Sequence, residues 1–598
     1  MNKQQKRFEE LTELLLTKMN KKGFWDGKLS SSALAVAVSV TALHFFDANK
    51  YKKEIMQGFD WLESNINPDG GYGDTPGSKS NISTSLLVYA ALNLYHDKTT
   101  NIRHKLSAYL QSQSIDLQSD RLQKAILAHY QKDYTFSVPI LTMCAFCGLP
   151  EKDPFDKIPQ LPFELVLLPR KLYKILNLSV VSYAIPALVA VGIALLRNKQ
   201  KTLFGKLVRE KAVNKSLVLL ERIMPQSGGF LEAIPLTAFV CLSLVKSGYA
   251  KNNVVKSGIN FLLKTQREDG SWPIDIDLST WVSTLAVKSL VGKLNSVLSE
   301  SQRSILGQHL LSIQNKSVHP FNGTSPGGWG WTHYSGSVPD CDDTPGTIIA
   351  LIKLGNEETY FSEIYNGIEW LLKTQNRDGG FPTFSKGWGK LPFDRSCCDL
   401  TAHNFLAFSM VYGNGKLSKK KRESLRAALL KSCRYLIKNQ QKTGVWLPLW
   451  FGNQYNANQR NPIYGTARVA AYLKEALQYI TSEKELSVSV KSLLIKAETF
   501  LINSQKSNGS WGSSENGDGT IEETSLVLSA IYDIKKVSAI EKGFDWLDNY
   551  YGKNGLKASP IGLYFAYLWY DEDMYPLVTY LEALSKHGKR SESYIIKT

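Results

Sequence analysis

Strand-like alternation of apolar and polar residues is almost absent from this 598-residue chain, which sets aside sheet-based architectures at the outset. Cysteine is scarce: seven residues, an odd number, are scattered over the length. That argues for a reducing compartment and against a disulfide framework. The close pair Cys144-Ala-Phe-Cys147 lacks a second pair at zinc spacing, so buried thiols are expected there rather than a metal. The first residues, Met1-Asn-Lys-Gln-Gln-Lys-Arg-Phe8, lack the apolar core of a signal peptide. Acidic residues are outnumbered, 54 against 71 basic, giving a formal charge of +17. Nucleic acid, an anionic membrane surface or acidic small molecules could each account for that sign. Only Lys419-Lys420-Lys421-Arg422 is dense, and no nucleic-acid motif accompanies it, so nucleic-acid binding is not expected. At 43% hydrophobic and 21% charged, the composition is globular, and the length calls for two or more domains. Long uncharged runs are rare as well. Leu178 to Leu196 is long enough to span a bilayer, but with Pro186 and its small residues it reads better as a buried helix of an all-α protein.

What the chain does have is internal repetition. Gln266-Arg-Glu-Asp-Gly270-Ser-Trp272 closes a helix-like stretch, and its pattern returns three times. The copies are Gln375 to Phe381, Gln440 to Trp446 and Gln505 to Trp511. Degenerate copies lie at Asn65 to Tyr72, near Gly228-Gly229-Phe230 and at Trp546-Leu547. Each unit predicts an amphipathic helix running to the Gln, a turn at Asp/Asn-Gly, and an aromatic residue that stacks back on the helix end. A second apolar run follows, opened by Thr84, Thr284, Thr344, Thr401, Thr466 or Thr524. Paired helices of this kind build an α-α barrel or a solenoid.

One stretch interrupts the pattern with charge. Asp340-Cys341-Asp342-Asp343-Thr344-Pro345-Gly346 follows Gly327-Gly328-Trp329-Gly330-Trp331 by nine positions, Trp331 to Asp340. Pro345 suits a first helical position, so Thr344 or Asp343 is expected to cap a helix there. The acids then sit at the positive end of that helix, and their mutual repulsion favours retention of at least one proton.

The Gln-x-x-x-Gly-x-Trp repeats combined with Asp-x-Asp-Asp-Thr resemble the squalene-hopene cyclase family, the class II triterpene cyclases, over roughly Gly23 to Leu584. The resemblance implies two α-helical barrels enclosing an apolar cavity. Residues 27–275 would form an inserted first barrel. Residues 1–26 and 276–598 would form the barrel that carries the acids. It also implies monotopic attachment on the cytoplasmic side of the cell membrane, an apolar isoprenoid substrate, and no metal or organic cofactor; it leaves a homodimer open. The reaction implied is cyclisation started by protonation of an alkene, with squalene or a related C30 polyprene as substrate. A C35 or shorter isoprenoid is the alternative. Outside this class stand a protein prenyltransferase-like barrel, which would need a zinc site, and a non-catalytic lipid-binding relative. The Mg²⁺-binding Asp-Asp-x-x-Asp motif of class I synthases is not found.

By the same resemblance Asp342 is the proton donor, flanked by Asp340 and Asp343. His403, in Asp399-Leu400-Thr401-Ala402-His403, is its hydrogen-bond partner. The cation-stabilising aromatic positions fall on Trp331, Phe384, Trp450, Tyr464, Trp281, Tyr183, Tyr567 and Tyr570. Faces of such rings attract cations, and a dry cavity prevents their early capture. Departures gather at the other end. Two phenylalanines of the family become Ser559 and Leu563, acids that organise water become Val36 and Leu87, and the Asp after the Trp281 position becomes Val282. Initiation is thus expected to be kept. Ring count or termination is expected to differ, with Ser559 and Leu563 determining the product.

Overall fold

The computed structural model describes residues 3–95, 99–119, 121–130, 134–167, 185–199, 203–355, 360–384, 392–413, 417–514, 517, 519–535, 537–562 and 567–595. Among these residues there are helices, turns and isolated bridges but no named strand. The second barrel closes as a ring. Helix Ser279–Ser289 packs on Asp343–Lys353, and the contacts continue through Cys398–Gly413, Pro462–Ala476, Ile521–Ile531 and Tyr575–Ile595 back to the first. These inner helices are apolar around most of their circumference. Every residue from Cys398 to Tyr412 is buried, as a helix enclosed on all sides requires. The outer helices are amphipathic instead; Phe361–Thr374 buries Ile364, Tyr365, Ile368 and Leu371 at helical spacing. The N-terminal helix Lys3–Thr17 packs against Tyr575–Ile595, so the two ends of the chain share one barrel.

A second ring is formed by Ala33–Asp47, Ile82–Leu92, Tyr134–Phe146, Ile185–Asn198 and Ile234–Lys246, each touching the next and the last touching the first. Its buried cluster runs from Ala33 to Trp272 and takes in Phe321 and Val338. The other cluster combines Phe8 to Leu29 with residues from Trp281 onward. Of the apolar run Leu178 to Leu196, the part before Ile185 lies outside the described residues. The remainder is a helix with Val189 to Leu196 buried. Among the described residues no helix is long and apolar enough to cross a membrane.

The repeats work through hydrogen bonds. Gln375 Nε2 donates to Gly379 O at 2.9 Å, and it crosses to the next outer helix at Ala428 O (3.2 Å) and Ser432 Oγ (3.0 Å). Gln440 and Gln505 repeat this geometry toward Leu493 O and Ala539 O. The tryptophan pins the turn by its own donor. Trp446 Nε1 reaches Leu436 O at 3.0 Å and Trp511 Nε1 reaches Leu501 O at 2.6 Å. Thr344, Thr401, Thr466 and Thr524 lie inside the inner helices and accept the aromatic backbone N–H, as Thr466 does from Trp446, whereas Thr84 donates to Asp74 and Thr284 to Trp281 O. A further copy, unread in the sequence, joins Gln314 to Gly327 O and Glu363 O, with Trp329 Nε1 on Leu310 O. Glycine is required at the turn. Gly379 has φ +91°, and a Cβ there would fall 2.3 Å from Lys431 O.

Candidate active site

The inner helices of both rings meet one cavity with their N-terminal turns. Leu34, Ser83, Pro235, Trp281, Asp343 and Tyr464 line it, each within a turn of its helix start. Aligned helix N-termini carry partial positive charge, which favours carboxylates at this rim. The acidic turn belongs here, but its capping differs from the expectation. The helix begins at Asp343 with Asp342 at the cap position, and the side-chain acceptor for its first N–H groups is Asp340, not Thr344 or Asp343. Asp340 Oδ1 accepts the backbone N–H groups of Asp342 (2.8 Å) and Asp343 (2.7 Å). Pro345 therefore occupies the third helical position. Thr344 accepts the Trp329 N–H instead, tying the tryptophan turn to the acids.

The three carboxyls are not equivalent. Burial and the negative charges of Asp340 and Asp342 push Asp343 well above the usual range, so it keeps its proton. Burial also raises Asp340, to about 7, against the two N–H groups that it accepts. Burial would raise Asp342 too, but the hydrogen bond and the positive charge of His403, then the charge of Arg468 and the indole of Trp281, outweigh it and hold it below the ordinary value. Asp342 is also the most open of the three, its side chain 24% exposed on the cavity side. Behind it, His403 Nδ1 lies 2.8 Å from Asp342 Oδ1. The imidazole stacks on Tyr472, with centroids 4.4 Å apart and planes 9° from parallel. Burial lowers the His403 pKa against the hydrogen bond and charge of Asp342, and the charges of Arg468 and Lys288 add to the lowering.

Of the aromatic residues expected in the wall, Trp331, Phe384, Trp450, Tyr464, Trp281, Tyr567 and Tyr570 all line this cavity. Phe384 sits between Trp331 and Trp450 at 5.9 Å from each. Tyr567 is at the first-barrel side, 4.3 Å from His129. Asp399 also lines the cavity, with its carboxylate hydrogen-bonded by the Cys397 thiol rather than by His403. Tyr183 and Leu563 lie outside the described residues. Ser559 is not in the lining, and its backbone N–H donates to Glu522 Oε1 at 2.8 Å. Leu87 does line the cavity, while Val36 is buried in the first barrel.

Several lining residues escaped the sequence reading. Phe393 packs edge-on against Trp450 at 5.5 Å, Phe451 packs edge-on against Tyr464 at 5.2 Å, and Asp275 accepts the Trp331 indole N–H at 3.2 Å. Arg468 and Tyr472 stand one and two turns after Tyr464 on the same helix. Away from the cavity, Asp26, Asp277 and His333 bring ligand atoms within 4.8 Å of one another. Asp277 already accepts from Ser279 N and Thr332 Oγ1.

The chain matches the family models of the squalene-hopene cyclase N-terminal domain over residues 8–203 and C-terminal domain over residues 279–556. It is 24% identical over 381 residues to enfumafungin synthase of Hormonema carpetanum, covering 58% of this chain and 28% of that protein. A squalene hopane cyclase of Aspergillus fumigatus is 20% identical over 590 residues, covering 82% of this chain and 75% of its own length. The chain thus spans 28% of the length of the first relative and most of the second. Among solved structures, ent-copalyl diphosphate synthase from Streptomyces platensis superposes with a TM-score of 0.54 at 15% identity, over 98% of this chain and 100% of that one, a likeness of fold. With both domain models matched in order and the acid turn set between two helical barrels, this chain belongs to the squalene-hopene cyclase family.

Proposed function

We infer that this protein is a class II terpene cyclase that protonates a terminal alkene of a linear polyprene, with squalene or a related C30 isoprenoid as the substrate. The observation that carries this reading is the placement of Asp342. It is the member of the acid trio most open to an aromatic cavity, and His403 backs it at 2.8 Å. Protonation of an isolated alkene needs a strong acid in a dry place. As hydrocarbon fills the cavity, Asp342 takes up a proton from the water leaving its open face, and desolvation favours that protonated form there. The Asp342 O–H bond then breaks. The alkene π pair takes the proton, and a tertiary cation forms. Each following alkene attacks in turn, while the ring faces of Phe384, Trp331 and Trp450 stabilise the passing charge.

Leu87 at the first-barrel end offers no acid to organise water there. This supports a termination step unlike that of hopene formation. Residues 27–275 are read as the inserted barrel, in keeping with the two buried clusters. The apolar substrate class and the charge of +17 support peripheral attachment at the cytoplasmic membrane face. Flotation with anionic vesicles tests that attachment. For the reaction itself, detergent-solubilised protein is incubated with squalene and with shorter and longer polyprenes. Polycyclic products from squalene support the reading, turnover of a C35 chain alone would move the substrate, and turnover of diphosphates alone would overturn the plain-alkene chemistry.

A further inference from the structure

Arg468 is 3% exposed yet lines the cavity, and its Nη1 has no hydrogen-bond partner. It sits on helix Pro462–Ala476 between Tyr464 and Tyr472, a turn from each. Its guanidinium lies 4.8 Å over the Tyr472 ring, the ring on which His403 stacks. Guanidinium does not give up its proton in a protein, so this is a permanent cation in a nearly dry, apolar space. Such a charge is costly unless an anion offsets it.

The groups facing it narrow the choice of anion. Asp343 and Asp399 are both raised by burial. Tyr464, Tyr472 and Tyr575 are phenols pushed further above their ordinary range. Lys288, on the neighbouring helix, has its own carboxylate in Glu582 at 3.2 Å, and Glu582 also takes Lys586 at 2.7 Å. Asp342 is the member of this set most open to the cavity that Arg468 lines, and its partner His403 stacks on the same Tyr472 ring that lies under the guanidinium.

We propose that Arg468 is the permanent counter-ion of Asp342, a positioning residue that stabilises the carboxylate left behind when the proton passes to the alkene. Two consequences follow for the reaction. With Asp342 protonated, Arg468 is a buried cation without an anion, and that imbalance drives the proton out. After transfer, the carboxylate is neutralised by Arg468, so it no longer draws the new carbocation back to return the proton. His403 is then free to act as a neutral N–H donor, because the positive charge of the site resides one ring away. The proposal rests on the reading of Asp342 as proton donor.

The test compares wild type with Arg468→Met and Arg468→Lys. Two measurements are made: squalene turnover across pH, and infrared difference spectra of the protonated-carboxyl stretch in the resting enzyme. Arg468→Met is expected to lower kcat by about 100-fold with KM little changed, in the range found when one preorganised charge partner is removed. Its profile should shift to higher pH as Asp342, no longer beside a fixed cation, holds its proton more readily. At neutral pH its spectrum should gain one protonated carboxyl that is missing from Arg468→Met/Asp342→Asn. Arg468→Lys, which keeps the charge, should recover most of the turnover. A kcat and pH profile within twofold of wild type in Arg468→Met, or an unchanged carboxyl band, overturns the proposal. If wild type cyclises no polyprene but the band still appears, the proposed function fails and the pairing stands.

Discussion

Asp342 and His403 are 61 residues apart in the chain, and their Oδ1 and Nδ1 atoms are 2.8 Å apart in the fold. The two helix starts that bring them together are joined a second time, where Asn404 Nδ2 donates to Cys341 O at 2.8 Å. The acid is therefore fixed from both its side chain and its own backbone turn. The histidine is clamped between that acid and the Tyr472 ring.

Asp342→Asn removes the transferable proton and leaves the shape. Turnover should fall by roughly 10⁴-fold, the upper end of what a general acid contributes, with an unchanged circular dichroism spectrum. Asparagine relieves repulsion within the trio but leaves the buried Arg468 cation without its anion, so the melting temperature should fall. Residual cyclisation near the wild-type rate would sink the assignment of the acid.

Trp281→Phe isolates a smaller contribution. The indole helps to hold Asp342 below the ordinary carboxylate range, while the ring packs against Tyr575 at 4.7 Å. Phenylalanine keeps an aromatic face and drops the donor. Loss of one hydrogen bond to a charged group is worth about 1.5–3 kcal/mol, so kcat should fall by about 10- to 100-fold. The product distribution should stay as it was. A changed product mixture at unchanged rate would assign Trp281 to the cation wall instead.

How much of this was legible in the sequence depends on whether a feature is local. The repeats were readable because each one remakes the same short-range bonds, from Gln to the glycine four residues on and from Trp to the carbonyl ten residues back. The acid turn was readable as a charge cluster before an apolar run. Its cap was misplaced, since Asp340 reaches forward over two residues while Thr344 turns to Trp329, which the spacing does not encode. Arg468 was missed for a different reason. A charged residue in a helix normally marks the solvent face, but inner barrel helices have none, and only ring closure shows that this one points inward. Phe393 comes from the short 3-10 turn Pro392–Asp394 and Phe451 from an irregular segment, and no periodicity predicts the path of either.

Gln375→Ala tests the repeat as a structural staple. The amide donates to Gly379 O, Ala428 O and Ser432 Oγ from a position only 7% exposed. Alanine removes that donor from all three, leaving Gly379 O only the weaker bond from Ser432 Oγ at 3.3 Å. Each buried unsatisfied group costs about 1–3 kcal/mol, and water entry through the surface turn offsets part of it, so a loss of about 2 kcal/mol is expected in chemical denaturation. The initiating chemistry should be untouched at temperatures where the variant is folded. A loss of kcat without loss of stability would mean that the staple does more than hold the turn.

The buried carboxyls set a pH dependence of stability with a definite sign. Asp340, Glu232 and Glu522 are raised by burial to about 7, whereas in the unfolded chain they ionise near 4. Through neutral pH the folded state therefore binds more protons than the unfolded one, and stability falls as pH rises. Opposing groups act elsewhere. His44, His129, His309 and His403 have lowered values, so their effect is confined below about pH 6.5, where unfolded histidine titrates. Lys288, lowered to about 8, opposes only from there upward. The clean window is from about pH 6.5 to about 7.5, where the urea midpoint should decrease steadily. Glu522→Gln, which keeps an acceptor for the Ser559 N–H, should flatten that slope. A midpoint that rises across the window, or a slope that Glu522→Gln leaves unchanged, would show that Glu522 ionises in the fold as it does in the unfolded chain.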